Sequence, residues 1–141
     1  ACGISRRYPI RIMAKKELFE VRGLGRLITW LGAFPVDRSR ADLTAIKTAL
    51  QVVKNGEKLL IFPQGTRGAG EDTAKDGAAM LALKTKAPIV PIYITEHKKR
   101  RGRVNVVVGK PFQPDPKSKD YAALSHEIMH RIYALKPEDE A

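Results

Sequence analysis

Short β-rich segments alternate with amphipathic helical segments along this sequence of 141 residues, and that alternation constrains the fold more than any other feature. The predicted strands are residues 10–13, 33–36, 58–62, 89–94 and 104–108. The predicted helices are residues 18–31, 42–55 and 76–85, and a last helix that begins after Asp120. Such alternation is typical of parallel strands joined by crossover helices. The sequence therefore predicts an α/β fold, a single domain with a largely parallel sheet flanked by helices.

Three of these helices carry apolar stripes that indicate a core-facing side. Asn55-Gly56 predicts the end of the second helix, and Asp120 is a predicted N-cap of the last. In the first helix, Gly23 and Gly25 weaken the start. The residues expected to face the core are Leu24, Leu27, Ile28 and Leu31 in the first helix, Leu43, Ile46, Leu50 and Val53 in the second, and Leu124, Ile128 and Ile132 in the last.

The two most apolar strands are residues 58–62 (KLLIF) and 89–94 (IVPIYI). Strands that are buried on both faces have nearly continuous apolar runs, as in the interior of a parallel sheet. We therefore expect these two strands to be neighbours in the interior of the sheet.

The net charge of +11, from 26 Lys and Arg against 15 Asp and Glu, favours polyanionic partners. Nucleic acid, an anionic membrane and an acidic carrier protein all fit this charge. The single cysteine, Cys2, excludes an internal disulfide framework and fits a reducing cytosol. No run approaches the roughly 20 apolar residues that span a bilayer, and the first residues do not resemble a signal peptide.

The sharpest local signal is the loop Phe62-Pro63-Gln64-Gly65-Thr66-Arg67-Gly68, which directly follows an apolar strand. In parallel α/β sheets, ligands bind at the carboxyl ends of the strands. Gly65 would let the backbone approach a ligand, the Thr66 hydroxyl would donate, and the fork of Arg67 matches phosphate oxygens. The alternative is an ordinary strand-to-helix turn with a solvated arginine. The loop is not a Walker A motif, because no Gly-Lys-Ser/Thr follows.

A second arginine, Arg38, closes the short segment that begins at Gly32. If both strands run in the same direction, Arg38 and Arg67 reach one edge of the sheet and can converge on one phosphate. The alternative is that Arg38 pairs with Asp37 or Asp42 on the surface, where such pairs contribute little.

These segments together resemble the 1-acylglycerol-3-phosphate acyltransferase family of phospholipid biosynthesis, in family order from about residue 10 to residue 95. The similar segments are Ala14-Lys15-Lys16-Glu17-Leu18, Gly32 to Arg38, Phe62 to Arg67, and Ala87-Pro88-Ile89-Val90-Pro91-Ile92. The resemblance implies a glycerol-3-phosphate acyltransferase-like fold. It also implies that the glycerol phosphate group is held by Lys15, Arg38, Gln64, Gly65, Thr66 and Arg67.

The sequence departs from the family pattern in two places. Gln64 stands where the family has Glu, which removes a negative charge beside the arginines. The family's His-x4-Asp block is missing, because none of the three histidines, His97, His126 and His130, has Asp five positions later. In the family, that His is the general base and the Asp orients it. We therefore expect an N-terminally truncated acyltransferase domain, residues 1–141, that contains no catalytic residue and is inactive alone.

The resemblance implies transfer of a fatty acyl group from acyl-CoA or acyl-carrier protein to the sn-2 hydroxyl of lysophosphatidate, making phosphatidic acid. It implies no metal and no cofactor, although His126 and His130 have the spacing of a metal pair. The expected location is the cytoplasmic side of the membrane, peripheral or anchored by a segment outside this chain. Phe19, Val21 and Trp30 are either membrane-contacting or core residues.

Two other functions stay open. One is a non-catalytic domain of the same fold that binds lipid phosphates, which the substitution of Gln64 for Glu favours. The other is nucleic-acid binding, suggested by the basic run at residues 97–103 (HKKRRGR). That run lacks the aromatic residues on which bases stack, so we expect no nucleic acid among the partners.

Overall fold

The computed structural model describes residues 10–37, 42–64, 76–95 and 104–137, and the chain divides into two compact units between residues 65 and 66. The strands are β1 (Ile10–Lys15), β2 (Ala33–Val36), β3 (Lys58–Leu60), β4 (Ile92–Ile94) and β5 (Val106–Val108). The helices are α1 (Glu17–Glu20), α2 (Leu24–Trp30), α3 (Leu43–Lys54), α4 (Gly77–Thr85) and α5 (Tyr121–Tyr133). The predicted α/β fold, with parallel strands flanked by helices, is confirmed. Whether the chain is a single domain stays a prediction.

Three parallel strands form the sheet of the first unit, in the order β2-β1-β3. β1 is central, because Ile12 is paired with Ala33 on one side and with Leu60 on the other. α3 packs against the sheet, α1 against β1 and α2 against β2. Since all three strands run in one direction, their carboxyl ends lie at the same edge.

The predicted helix over residues 18–31 is in fact two helices, separated at Val21–Gly23. Val21 is extended and ends α1, and Gly23, whose φ of +87° favours glycine, stands immediately before α2. Gly25 is buried, and a Cβ atom at this position would lie 2.4 Å from the carbonyl oxygen of Phe19. The absence of a side chain at Gly25 therefore allows α2 to approach the backbone of α1 closely.

α3 begins and ends where the sequence predicts. Asp42 caps its first turn, and Gly56, with a φ of +77°, follows its last. The predicted core-facing stripe was wrong at Leu43, however, which is 67% exposed. The buried residues of the helix are Ala45, Ala49 and Val52, while Ile46, Leu50 and Val53 are half-buried. Small alanines at the centre of the interface let the helix lie close to the sheet, so the larger side chains flank the contact.

The prediction that residues 58–62 and 89–94 are neighbouring interior strands was wrong. In the described part of the chain, β3 pairs with β1 alone and lies at a sheet edge, whereas β4 pairs with β5. Phe62, Val90 and Ile94 are exposed rather than buried on both faces. An apolar run indicates a strand, but it specifies neither the partner of the strand nor its direction.

The second unit combines an antiparallel pair, β4 with β5, and two helices. Tyr93 lies opposite Val107, and the ring of Tyr93 contacts that of Tyr133 on α5. Asp120 caps α5 by accepting a hydrogen bond of 2.9 Å from the Ala123 N–H, as predicted. The core joins α4 to α5 through Ala79, Leu83, Leu124 and Ile128, with Ile132 partly buried against it. The stripe predicted for the last helix is thus confirmed.

None of the helices in the described ranges has both the length and the apolar composition needed to cross a membrane.

Candidate site at the carboxyl edge of the parallel sheet

Lys15 is the last residue of β1 and lies opposite Val36, the last residue of β2. Its side chain is exposed, and Lys15 Nζ lies 3.4 Å from Glu17 Oε1. An exposed pair at this distance holds the ammonium group weakly. Lys15 is therefore placed where an anion at this edge could reach it, and its predicted role stays a prediction.

Lys16, a residue that the sequence analysis did not single out, forms the shorter of the two ion pairs that the described residues make at the ends of β1 and β2. Lys16 Nζ lies 2.7 Å from Asp37 Oδ2, and the Asp37 side chain is buried. The Lys16 N–H donates to the Val36 carbonyl oxygen at 3.1 Å. Adjacent residues at the end of a strand point in different directions, and sequence alone does not tell which of two neighbouring lysines faces the next strand. The acidic residue at the end of that next strand was the available signal.

Asp42 joins the end of β2 to the start of α3. Asp42 Oδ2 accepts a hydrogen bond of 3.0 Å from the Asp37 N–H, and Oδ1 accepts one of 2.9 Å from the Ala45 N–H. The bond from Ala45, followed by that from Asp37, lowers the pKa of Asp42 below its usual value. The two residues that flank the 38–41 segment, which carries Arg38, are therefore linked to each other.

A cleft of about 310 Å³ lies between the end of β2 and the first turns of α3. Lys16, Asp37 and Asp42 line it together with the hydroxyl-bearing residues Thr44 and Thr48. Phe34, Pro35 and Ala45 complete the lining, so the cleft offers mostly apolar surface beside the charged pair and the hydroxyl groups.

Of the six predicted phosphate-binding residues, the structure describes Lys15 and Gln64. Gln64 is half-buried and follows β3 by four residues, beyond the carboxyl end of that strand. Arg38, Gly65, Thr66 and Arg67 lie outside the described residues. The two strands that precede them, β2 and β3, both run parallel to β1, so the predicted common direction is confirmed. The convergence of the two arginines stays a prediction.

The histidines do not form a recognisable metal centre in the part of the chain that the structure describes. No group of three His, Cys, Asp or Glu residues there is close enough to hold a metal ion, and His126 and His130 of α5 have no third ligand among them. His97 and Cys2 lie outside the described ranges.

Known proteins resemble the chain over most of its length. Residues 2–95 match the family model described as Acyltransferase. The 1-acyl-sn-glycerol-3-phosphate acyltransferase of Bacillus subtilis is 34% identical over 139 residues, which cover 92% of this chain and 70% of that protein. The enzyme of the same name from Streptococcus pneumoniae is 38% identical over 105 residues, covering 70% of this chain and 39% of that protein.

A more distant relative with the same name, from Saccharomyces cerevisiae, is 32% identical over 125 residues, covering 77% of this chain and 41% of that protein. The chain therefore spans well under two thirds of several relatives that it matches. No solved structure shows a significant match. The Acyltransferase model covers more than half of the chain, and the Bacillus subtilis relative is 34% identical with 70% of its length covered. The chain therefore belongs to the 1-acylglycerol-3-phosphate acyltransferase family, as its motifs implied.

Proposed function

We propose that the chain supplies the acceptor-phosphate site of an enzyme that acylates the sn-2 hydroxyl of 1-acylglycerol-3-phosphate. The observation that carries the proposal is the parallel order β2-β1-β3, which brings three strand ends to one edge. Lys15 ends β1, and the segments that carry Arg38 and Gln64 to Arg67 continue from β2 and β3. A cluster of cations and hydroxyl groups at such an edge suits a phosphate monoester.

In the proposed reaction, a general base takes the proton of the sn-2 hydroxyl while the oxygen attacks the thioester carbonyl of acyl-CoA or acyl-carrier protein. The tetrahedral intermediate then expels the thiolate, which takes up a proton, and phosphatidic acid is left. None of the histidines in residues 1–141 has the family's Asp spacing. We therefore assign the base to a His-x4-Asp block outside these residues, in the same acyltransferase domain.

The proposed partners are all anionic, in keeping with the net charge of +11. They are lysophosphatidate, the phosphates of CoA or an acidic carrier protein, and the anionic surface of the membrane on its cytoplasmic side. The names of the relatives support lysophosphatidate as the acyl acceptor, because each is called a 1-acyl-sn-glycerol-3-phosphate acyltransferase.

The test is Arg67→Ala in the full-length protein, assayed with lysophosphatidate and with 1-acylglycerol, which lacks the phosphate. We expect kcat/KM for lysophosphatidate to fall about 10- to 150-fold, the equivalent of roughly 1.5–3 kcal/mol for a charged hydrogen bond. Activity with 1-acylglycerol should be little changed. Arg11→Ala is the matched control, because Arg11 lies near the amino end of β1 and pairs with Glu57. An equal loss with both acceptors, or no loss with either, would contradict the proposed site.

A non-catalytic lipid-phosphate-binding domain is the second candidate, favoured by Gln64 in place of the family's Glu. Thioester release by the full-length protein separates the two functions. If lysophosphatidate binds but no thiol is released, the binding function is correct and the transfer reaction is not.

A further inference from the structure

The cleft beside the end of β2 carries charged groups whose balance indicates what it can hold. Its volume of about 310 Å³ lies at the lower end of the range for ligand pockets, about 300–1,000 Å³. One cation, Lys16, and two carboxylates, those of Asp37 and Asp42, line it. Hydrogen bonds lower the pKa of Asp42, so this carboxylate is ionised at neutral pH. The lining thus has more negative than positive charge, and it would repel a phosphate or a carboxylate.

A purely aliphatic occupant is disfavoured as well. Lys16 Nζ lies 2.7 Å from Asp37 Oδ2, and 44% of the lysine side chain is exposed. Hydrocarbon placed against this ion pair would displace water and return no hydrogen bond, which costs free energy. A neutral chain with hydrogen-bonding groups between its methylene groups replaces that water at a lower cost. The charges of the cleft therefore favour an occupant that is uncharged but polar in part.

The rest of the lining suits such a chain. Phe34 and Pro35 on β2 supply an apolar wall, and buried Ala45 on α3 adds to it. Thr44 and Thr48 are exposed on α3, one turn apart, and bring hydroxyl groups to the same cleft. The Thr48 hydroxyl donates to the Thr44 carbonyl oxygen at 3.0 Å, so its oxygen can accept a hydrogen bond from an N–H group of a ligand. The cleft thus combines apolar contact with acceptors for amide groups.

The cleft lies where the proposed acyl transfer needs its second substrate. Lys16 follows directly on β1 and Asp37 directly on β2, so both stand at the carboxyl edge of the parallel sheet. Lys15, a predicted ligand of the acceptor phosphate, ends β1 at the same edge. Acyl transfer requires the thioester to lie next to the acceptor hydroxyl, so the donor and the acceptor must share this edge.

Other apolar side chains of this unit are exposed without lining the cleft. Leu24 and Leu27, which the sequence predicts to face the core, are exposed. Val21 and Trp30 are exposed as well, so the core role considered for these two residues does not hold. A small-molecule site needs a concavity and a few orienting polar groups as well as apolar atoms. The cleft beside β2 offers all three.

We propose that this cleft holds the pantetheine arm, the part that acyl-CoA and acyl-carrier protein have in common. The arm is uncharged, its amide groups alternate with methylene and methyl groups, and it ends at the thioester. Its methyl and methylene groups lie against Phe34 and Pro35, and an amide N–H donates to the Thr48 hydroxyl oxygen. The phosphate at the far end of the arm stays outside the cleft. Use of the bound arm in acyl transfer rests on the proposed function, whereas binding of the arm does not.

Filling the cleft tests which substrate occupies it. In the full-length protein, Thr48→Phe places a ring in the cleft, and we expect KM to rise about tenfold or more for each acyl donor that the protein uses. KM for lysophosphatidate should stay close to that of the wild type. Gln51→Phe is the matched control, because Gln51 is exposed on the same helix and does not line the cleft. Its KM values for donor and acceptor should both be little changed.

Pantetheine alone tests the site in the unaltered full-length protein, so the proposal stays testable even if Thr48→Phe fails to fold. Pantetheine should inhibit in competition with acyl-CoA and with acyl-carrier protein, but not in competition with lysophosphatidate. Saturation-transfer nuclear magnetic resonance without any acceptor should show transfer to the methyl protons of pantetheine. Because this binding measurement needs no turnover, pantetheine that binds without acyl transfer to lysophosphatidate would count against the proposed function and not against the cleft.

Three results would overturn the proposal. The first is a Thr48→Phe variant in which KM rises for lysophosphatidate alone, because the acceptor then fills the cleft. The second is a rise in KM for one of two accepted donors, because the contact is then with a part that the donors do not share. The third is the absence of both inhibition and saturation transfer with pantetheine in the unaltered protein.

Discussion

Lys16 and Asp37 form an ion pair across the carboxyl ends of two adjacent parallel strands, with 2.7 Å between Lys16 Nζ and Asp37 Oδ2. The carboxylate is buried, while the lysine side chain keeps 44% of its exposure. Asp37 is further tied to Asp42 at the start of α3 through its backbone N–H. The ion pair and this hydrogen bond together link the central strand, its neighbour and the helix that follows.

Loss of this ion pair should destabilise the protein. Lys16→Ala leaves the buried Asp37 carboxylate without its lysine, so we expect the free energy of unfolding to fall by about 1–3 kcal/mol in urea titrations. The adjacent Lys15→Ala is the control, because the partner of Lys15 is exposed and such a change costs roughly 0.5 kcal/mol or less. Adding Asp37→Asn to Lys16→Ala should restore part of the loss, and a loss equal in the two single variants would argue against the pair.

Acid should weaken the link between β2 and α3. The hydrogen bonds from Ala45 and Asp37 lower the pKa of Asp42, so the ionised form stabilises the folded state. That stabilisation is fully present above the pKa of Asp in the unfolded chain, about 3.9, and is lost as the pH falls through the lower folded value. The stability difference between the wild type and Asp42→Asn should therefore shrink as the pH is lowered below about 4. Thermal unfolding across this range checks it, and a constant difference would show that Asp42 does not contribute in this way.

Two glycine-to-alanine changes should have opposite effects. In Gly25→Ala the new Cβ atom meets the backbone oxygen of Phe19 at 2.4 Å, so α1 and α2 must move apart. We expect a loss of about 1–3 kcal/mol in stability. In Gly77→Ala, in the first turn of α4, the Cβ atom meets nothing within 4 Å. There we expect a gain of roughly 0.4–1 kcal/mol from reduced freedom of the unfolded chain. Equal changes of one sign in both variants would contradict the close approach at Gly25.

The elements that sequence predicts well are those with their own end signals. Asp120 caps α5 as expected, and α3 ends just before Gly56 as expected. These features depend on hydrogen bonds and backbone angles within a few residues, which local sequence determines.

Features that depend on distant residues were predicted less well. The pairing of β4 with β5 rather than with β3 depends on contacts between segments, and an apolar run such as IVPIYI fits a parallel or an antiparallel partner equally. Leu43 was expected in the core because it lies at helical spacing from other large apolar residues. That spacing does not show that the smaller Ala45 and Ala49 are the buried residues of the helix. At the candidate site, motif order identified a lysine segment, but the contact of Lys16 with Asp37 needed the three-dimensional structure.

The position of β1 between two strands that follow it in sequence affects how the protein is made. Ile10 pairs with Lys58 and Ile12 with Leu60, so the central strand, made first, waits for a partner 48 residues later. Until residues up to 60 have emerged from the ribosome, the nascent chain can pair β1 with β2 but cannot complete the sheet. The chain must lose the conformational entropy of closing this long loop before the strand contacts form. That cost slows the folding of sheets with non-local pairing. During synthesis, one side of β1 therefore keeps unpaired N–H and C=O groups until residues 58–60 are available.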